Sequence, residues 1–200
     1  AAGALASLAA QHSDNRLSIT KRMVAVLSLK APPHRAVRLL SALASLCDDE
    51  PTNQVAVAKA GGVQHLITWL SNPEDEVQIQ AARAMLAVAS NNSTTQSLIG
   101  KLGGIPPLIV IVATGSREAQ EHAACTLWHL ESSQDNRTAV AESNGIEPLV
   151  TMLLVEGRLG AQIAAMNVVR LAEGSEAVAR SIAGSGGIAP LVRLLTKGDA

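Results

Sequence analysis

Two hydrophobic patterns alternate along the chain. In the first, an apolar run meets a glycine turn and a second apolar run follows at once. It occurs as AVAKAGGVQHLITWL (56–70), SLIGKLGGIPPLIVI (97–111), AVAESNGIEPLVTML (139–153) and SIAGSGGIAPLVRLL (181–195). The residue after the glycines is Val63, Ile105, Ile146 or Ile188, at steps of 42, 41 and 42. A weaker copy, SITKRMVAVLSLK (18–30), puts Met23 forty residues before Val63. The second pattern lies between these, as AAGALASLA (1–9), LSALASLC (40–47), AARAMLAVA (81–89), AACTLWHLE (123–131) and AAMNVVRLA (164–172). Its apolar positions fall three and four apart, the spacing of one helix face. Ser7, Ser45, Ala87, His129 and Arg170 are equivalent in it, at steps of 38, 42, 42 and 41. Two patterns with one period of about 42 define an internal repeat, in which each unit buries its apolar face against the next.

Each unit predicts three helices, best seen at 51–92. A short helix near Asn53–Ala60 stops at Gly61-Gly62, expected to supply left-handed turn positions. A second runs near Val63–Leu70. A third runs near Pro73–Ala89, opened by Asn72-Pro73, with Glu74, Asp75 and Glu76 in its first turn. Asn91-Asn92-Ser93 breaks the chain again. Pro106-Pro107, Pro148 and Pro190 fall in the first turns of second helices, where a missing N–H costs nothing. The unit at 11–50 departs from this: Thr20-Lys21-Arg22 replaces the glycines, and Pro32-Pro33 shortens the link to the third helix.

The unit resembles the armadillo repeat, with GGI-x-PLV-x-LL in its second helix and AA-x-AL-x-x-LA in its third. HEAT repeats are similar but have two helices and no Gly-Gly. The resemblance implies an all-α fold, a right-handed α-solenoid of three-helix units. The whole chain, 1–200, reads as one array with units near 1–10 (partial), 11–50, 51–92, 93–133, 134–173 and 174–200 (partial). Neither end carries a polar cap, and Leu191, Val192, Leu194 and Leu195 lack a covering third helix. The expectation is a window of a longer array, so a lipid anchor or other segment upstream stays open.

The resemblance also implies a binding groove along the third helices. In many armadillo proteins an Asn recurs there and clamps a peptide backbone, with a Trp four residues earlier. Here the Asn positions hold Ser7, Ser45, Ala87, His129 and Arg170, and the Trp positions hold Gly3, Ser41, Arg83, Cys125 and Met166. Neither feature is present, and Arg83 and Arg170 oppose a basic peptide, which disfavours a nuclear-import receptor. One turn earlier lie Gln80, His122 and Ile163. The expected partner-binding residues are therefore Gln80, Arg83, His122, Cys125, Trp128, His129, Met166 and Arg170. A segment with acidic and apolar side chains fits them; an ordinary solvated helix face is the competing reading. Trp128 aligns with Ala6, Ala44, Leu86 and Val169, and Leu86, Trp128 and Val169 form either an exposed apolar strip or a contact with the next unit. Trp69 aligns with Ile111, Met152 and Leu194 and is expected in the core.

Composition narrows the function. Hydrophobic residues make up 48% and mean hydropathy is +0.22, enough to build a core. Sixteen basic and seventeen acidic side chains leave a net charge of -1, and there is no Phe or Tyr. Nucleic-acid binding by a basic stripe or stacking platform is thereby disfavoured. The longest apolar stretch, 105–113, holds two prolines, so direct membrane insertion is not expected. Cys47 and Cys125 have no CxxC partner, which points to a reducing, cytoplasmic setting, with cytoskeletal association among the family's roles.

Catalytic chemistry finds little support. His122, Cys125 and His129 fall at i, i+3 and i+7, but one straight helix rarely supplies three zinc ligands. Gly100-Lys101-Leu102-Gly103-Gly104 and Gly184-Ser185-Gly186-Gly187 sit at repeated turns, so turn chemistry explains them without phosphate. The run Asp48-Asp49-Glu50 reads as a solvated loop. No cofactor or metal is expected. The leading reading is a non-enzymatic scaffold or adaptor that binds an extended or helical segment of a protein partner. The alternative is the substrate-binding region of a larger U-box-type ubiquitin ligase.

Overall fold

The computed structural model describes residues 13–27, 31–154 and 158–197. The helix expected at 1–10 lies outside them. Among the described residues the chain forms helices and no strand. In order these are α1 (Ser13–Leu27), α2 (Pro33–Cys47), α3 (Pro51–Lys59), α4 (Gly62–Leu70), α5 (Asp75–Ala89), α6 (Ser93–Lys101), α7 (Ile105–Thr114), α8 (Arg117–Leu130), α9 (Gln134–Glu142), α10 (Ile146–Leu154), α11 (Arg158–Ala172), α12 (Glu176–Gly184) and α13 (Ile188–Lys197). None is long and apolar enough to cross a membrane by itself.

The three-helix rhythm holds from α3 onward. It fails before that: α1 runs unbroken through Thr20, Lys21 and Arg22. No glycine interrupts it there, so the helix continues where later units turn.

The glycine pairs divide two tasks. Only the first member is left-handed, with φ of 78° at Gly61, 76° at Gly103 and 80° at Gly186. In the third copy Asn144 takes this place at φ 59°, a conformation asparagine tolerates. The second glycine is needed for close approach instead. A Cβ at Gly62, Gly104, Gly145 or Gly187 would fall 2.6, 2.6, 2.7 or 2.8 Å from Val57, Ile99, Val140 or Ile182 of the preceding helix. The expectation that both residues of Gly61-Gly62 are left-handed is corrected accordingly.

The third helices, α2, α5, α8 and α11, pack in series, and the first and second helices stand behind them. Ala81, Ala82, Ala123, Ala124 and Ala164 are fully buried, and their small side chains let helix backbones come close. Leu43, Leu66, Met85, Leu108 and Leu127 fill the space behind. The third helix of the second full unit starts at Asp75, two residues later than Pro73, after Asn72 Oδ1 accepts the Glu74 N–H at 3.0 Å.

Three first helices, α3, α6 and α9, also close the end of the third helix before them. Asn53 Nδ2 donates to Leu46 O at 2.6 Å, Thr95 Oγ1 to Val88 O at 2.6 Å, and Asn136 Nδ2 to Leu130 O at 2.9 Å. Their neighbours repeat the contact: Gln54 to Cys47 O, Gln96 to Ala89 O and Arg137 to Glu131 O. Carbonyls at the helix ends thus gain side-chain partners inside a buried interface.

Candidate interaction groove

The helical spacing on α5, α8 and α11 decides which side chains meet. Arg83 and Ala87 share a face of α5; His122, Cys125 and His129 share one of α8; Ile163 and Met166 share one of α11. These faces converge on a cavity of about 350 Å3. Leu86 and Trp128 complete its walls, and Ala44, Asp48 and Ser90 close it at the ends of α2 and α5.

Six of the eight expected residues therefore come together: Arg83, His122, Cys125, Trp128, His129 and Met166. Two lie elsewhere. Gln80 is half-buried outside the cavity, its amide nitrogen donating to Glu76 Oε1 at 3.1 Å. Arg170 is turned onto Trp128, with its Cζ 4.5 Å from the ring centroid and its Nη1 donating to Trp128 O at 3.0 Å. It lines a second cavity of about 790 Å3 with Trp128, Met166, Val169, Leu191 and Leu194.

Trp128 is half-buried and forms a wall common to both cavities. Both readings of its position hold in part. Val169 is 54% exposed, while Leu86 and Trp128 are half-buried. Trp69 is half-buried against the core, and its indole N–H reaches Leu27 O at 3.4 Å.

Asp48 and Ser90 were not legible as site residues. Asp48 is exposed, as expected of a loop, but it also lines the cavity. The signal was available: both lie three residues beyond an expected groove position, Ser45 or Ala87, and 42 residues apart.

The cavity's electrostatics follow from burial. His122 is held below the usual histidine range, first by desolvation and further by Arg83, against the opposing pull of Glu118 and Glu121. His129 is lowered by desolvation and by Arg170. Burial pushes the Cys125 thiol up, and Glu121 adds to it, so the sulfur stays protonated and a poor nucleophile. Among the described residues no three His, Cys, Asp or Glu side chains are placed to hold a metal ion. Arg83 is exposed and, among the described residues, makes no ion pair.

No protein-family model and no curated protein sequence matches the chain. Solved structures do. One engineered protein superposes with a TM-score of 0.87 at 26% identity, covering 98% of this chain and 81% of its own. Another reaches 0.88 at 27% identity, covering all of this chain and 50% of its own. A designed armadillo repeat protein in complex with the peptide (KR)4 reaches 0.86 at 17% identity, covering 98% of this chain and 84% of its own. The fold is an armadillo-like helical solenoid. Within this armadillo-like frame, the described groove positions carry Ser45, Ala87, His129 and Arg170, of which only His129 opens onto the smaller cavity as a polar side chain.

Proposed function

We propose that the chain is a non-catalytic interaction scaffold that seats a peptide segment of a protein partner on its third-helix face. The carrying observation is convergence: side chains spread over 42-residue repeats meet in one cavity with apolar walls and a few polar groups, the usual make-up of a recognition site. Stacked units hold the receptor side in place before binding, which keeps its ordering cost small. The (KR)4 complex of the designed armadillo protein supports a peptide as the kind of ligand, while Arg83 here favours another charge. A cytoplasmic setting belongs to the same proposal and rests on the isolated cysteines Cys47 and Cys125.

The test is peptide selection from a displayed library on the 200-residue chain. Selected peptides are then measured against the wild type and against Arg83→Ala with Met166→Ala, after matched helicity by circular dichroism. Binding lost in the variant supports the cavity as the seat. Equal binding to both moves the site off this face and refutes the proposal.

A further inference from the structure

The cavity has an apolar floor and an unequal rim. Leu86, Ile163 and Met166 offer no hydrogen bonds to a ligand. The rim carries Arg83, His122 and His129 against a single carboxylate, Asp48. Arg83 is an exposed guanidinium whose charge no acidic partner among the described residues neutralises. His122 and His129 stand on either side of Cys125, one turn away in each direction, both half-buried. Arg170 lies over Trp128 and lines the other cavity, not this one.

Resting on the peptide-site reading above, we infer that this cavity recognises a segment carrying a carboxylate beside an apolar side chain, and that it grips the segment more tightly as His122 and His129 take up protons. A guanidinium selects a carboxylate by charge and by paired N–H donors. A lysine-rich segment would meet like charge. The apolar neighbour fills the space above Met166 and Ile163.

Proton linkage follows from what surrounds the histidines. His122 faces Glu118 and Glu121 on its own helix and Arg83 from α5; its Nε2 is 3.8 Å from Glu118 Oε1. His129 faces Arg170 from α11, and Asp48 enters the cavity from the end of α2. Before a segment binds, burial and the arginines disfavour the charged form of both rings. A carboxylate from the partner supplies the opposite charge that favours the imidazolium. A group whose pKa rises on binding makes affinity rise as pH falls, by up to about tenfold per pH unit for each ring that titrates.

The experiment uses fluorescence anisotropy with the 200-residue chain and three labelled probes of one length. These are an acidic peptide alternating Glu or Asp with Leu, its Gln/Asn counterpart, and its Lys counterpart. Each is titrated near pH 7.5 and near pH 5.8, a range that spans histidine titration. The acidic probe is expected to bind at least about fivefold tighter than the amide probe, as an unscreened charge pair would give. The Lys probe should bind least. Acidification should tighten the acidic probe several-fold. The double variant His122→Gln, His129→Gln should lose that gain, its affinities near pH 7.5 and near pH 5.8 converging whatever their absolute level. Arg83→Ala should weaken the acidic probe at both values.

Equal binding of the acidic and amide probes would overturn the charge selection and leave the peptide site standing. An acid gain that survives in the double variant would overturn the proton linkage, assigning it to the chain's general charge. No binding of any probe at either pH would remove the peptide site as well.

Discussion

Arg170 closes the end of α8 from one repeat away: its Nη1 donates to Trp128 O at 3.0 Å across 42 residues, and its guanidinium lies over the same residue's ring. Carbonyls in the last turn of a helix have no intrahelical partner. Those of Leu127, His129 and Leu130 are met by following backbone N–H groups, whereas Trp128 O is met by Arg170. Arg170 is thus a cap that ties α11 to α8. Arg170→Ala should destabilise the chain by about 1–2 kcal/mol, combining a lost charged hydrogen bond with a lost cation–π contact. Trp128 emission should change in the native state. Urea denaturation and native fluorescence check both, and unchanged stability would show that water replaces the cap without cost.

Thr95 tests the capping contacts that recur at the start of α3, α6 and α9. Its hydroxyl donates to Val88 O at 2.6 Å in a fully buried setting. Thr95→Val keeps the shape and strands that carbonyl, an expected loss of about 1–2 kcal/mol. Thr95→Ser keeps the donor and should retain most of the lost stability. A loss in Thr95→Ser with none in Thr95→Val would assign the effect to the methyl group rather than the hydrogen bond.

The period was legible because apolar side chains that stack unit on unit must recur in register. It placed the third helix of the second full unit with its start two residues early and its end at Ala89. It did not show that α1 is continuous, since Met23, Val24 and Leu27 suit a helix with or without a turn before them. The cavity was legible in Arg83, His122, Cys125, His129 and Met166, because the resemblance implies which positions of a third helix face the groove and the period carries them from unit to unit. Arg170 obeys the same spacing, yet its long side chain reaches Trp128 instead. Spacing fixes where Cβ points, not where a guanidinium ends. The capping pairs Asn53-Gln54, Thr95-Gln96 and Asn136-Arg137 keep the period too, but they change residue type, which hides a shared task from a hydrophobic pattern.

The glycine pairs predict opposite kinds of damage at neighbouring positions. Gly103 has φ of 76° and nothing within 4 Å of a built Cβ, so Gly103→Ala carries only backbone strain of about 1–2 kcal/mol. Gly103→Asn should cost less, as Asn144 already shows in the next repeat. Gly104 has an ordinary φ of -73°, but its Cβ would lie 2.6 Å from Ile99 Cγ2 and 3.1 Å from Ile99 O. Gly104→Ala should therefore cost a few kcal/mol, and Gly104→Val or Gly145→Val more. In the double variant Gly104→Ala, Ile99→Ala the penalties should fall short of additive, because the clash is gone. Strict additivity in thermal melts would mean the two residues do not meet.

Glu131 sets the pH dependence of stability. Its side chain is fully buried at the end of α8, and neither carboxyl oxygen has a hydrogen-bond partner. Burial pushes its pKa up to about 9, although Arg170 and Arg137 pull the other way. In the unfolded chain the group titrates near 4.5. Between these two values the folded state holds a proton that the unfolded state has released. Stability therefore falls as pH rises across that window; the penalty is absent below about 4.5 and complete above about 9. Glu131→Gln keeps the shape and cannot ionise. It should be more stable than the wild type by on the order of 2 kcal/mol at neutral pH, once the amide's own unpaired N–H is allowed for. The gain should shrink toward acid and grow toward alkali. Urea melts of both proteins near pH 5, 7 and 9 measure the difference, and every other titrating group cancels between them. Parallel stability curves would mean that Arg137 and Arg170 keep Glu131 ionised in the folded chain.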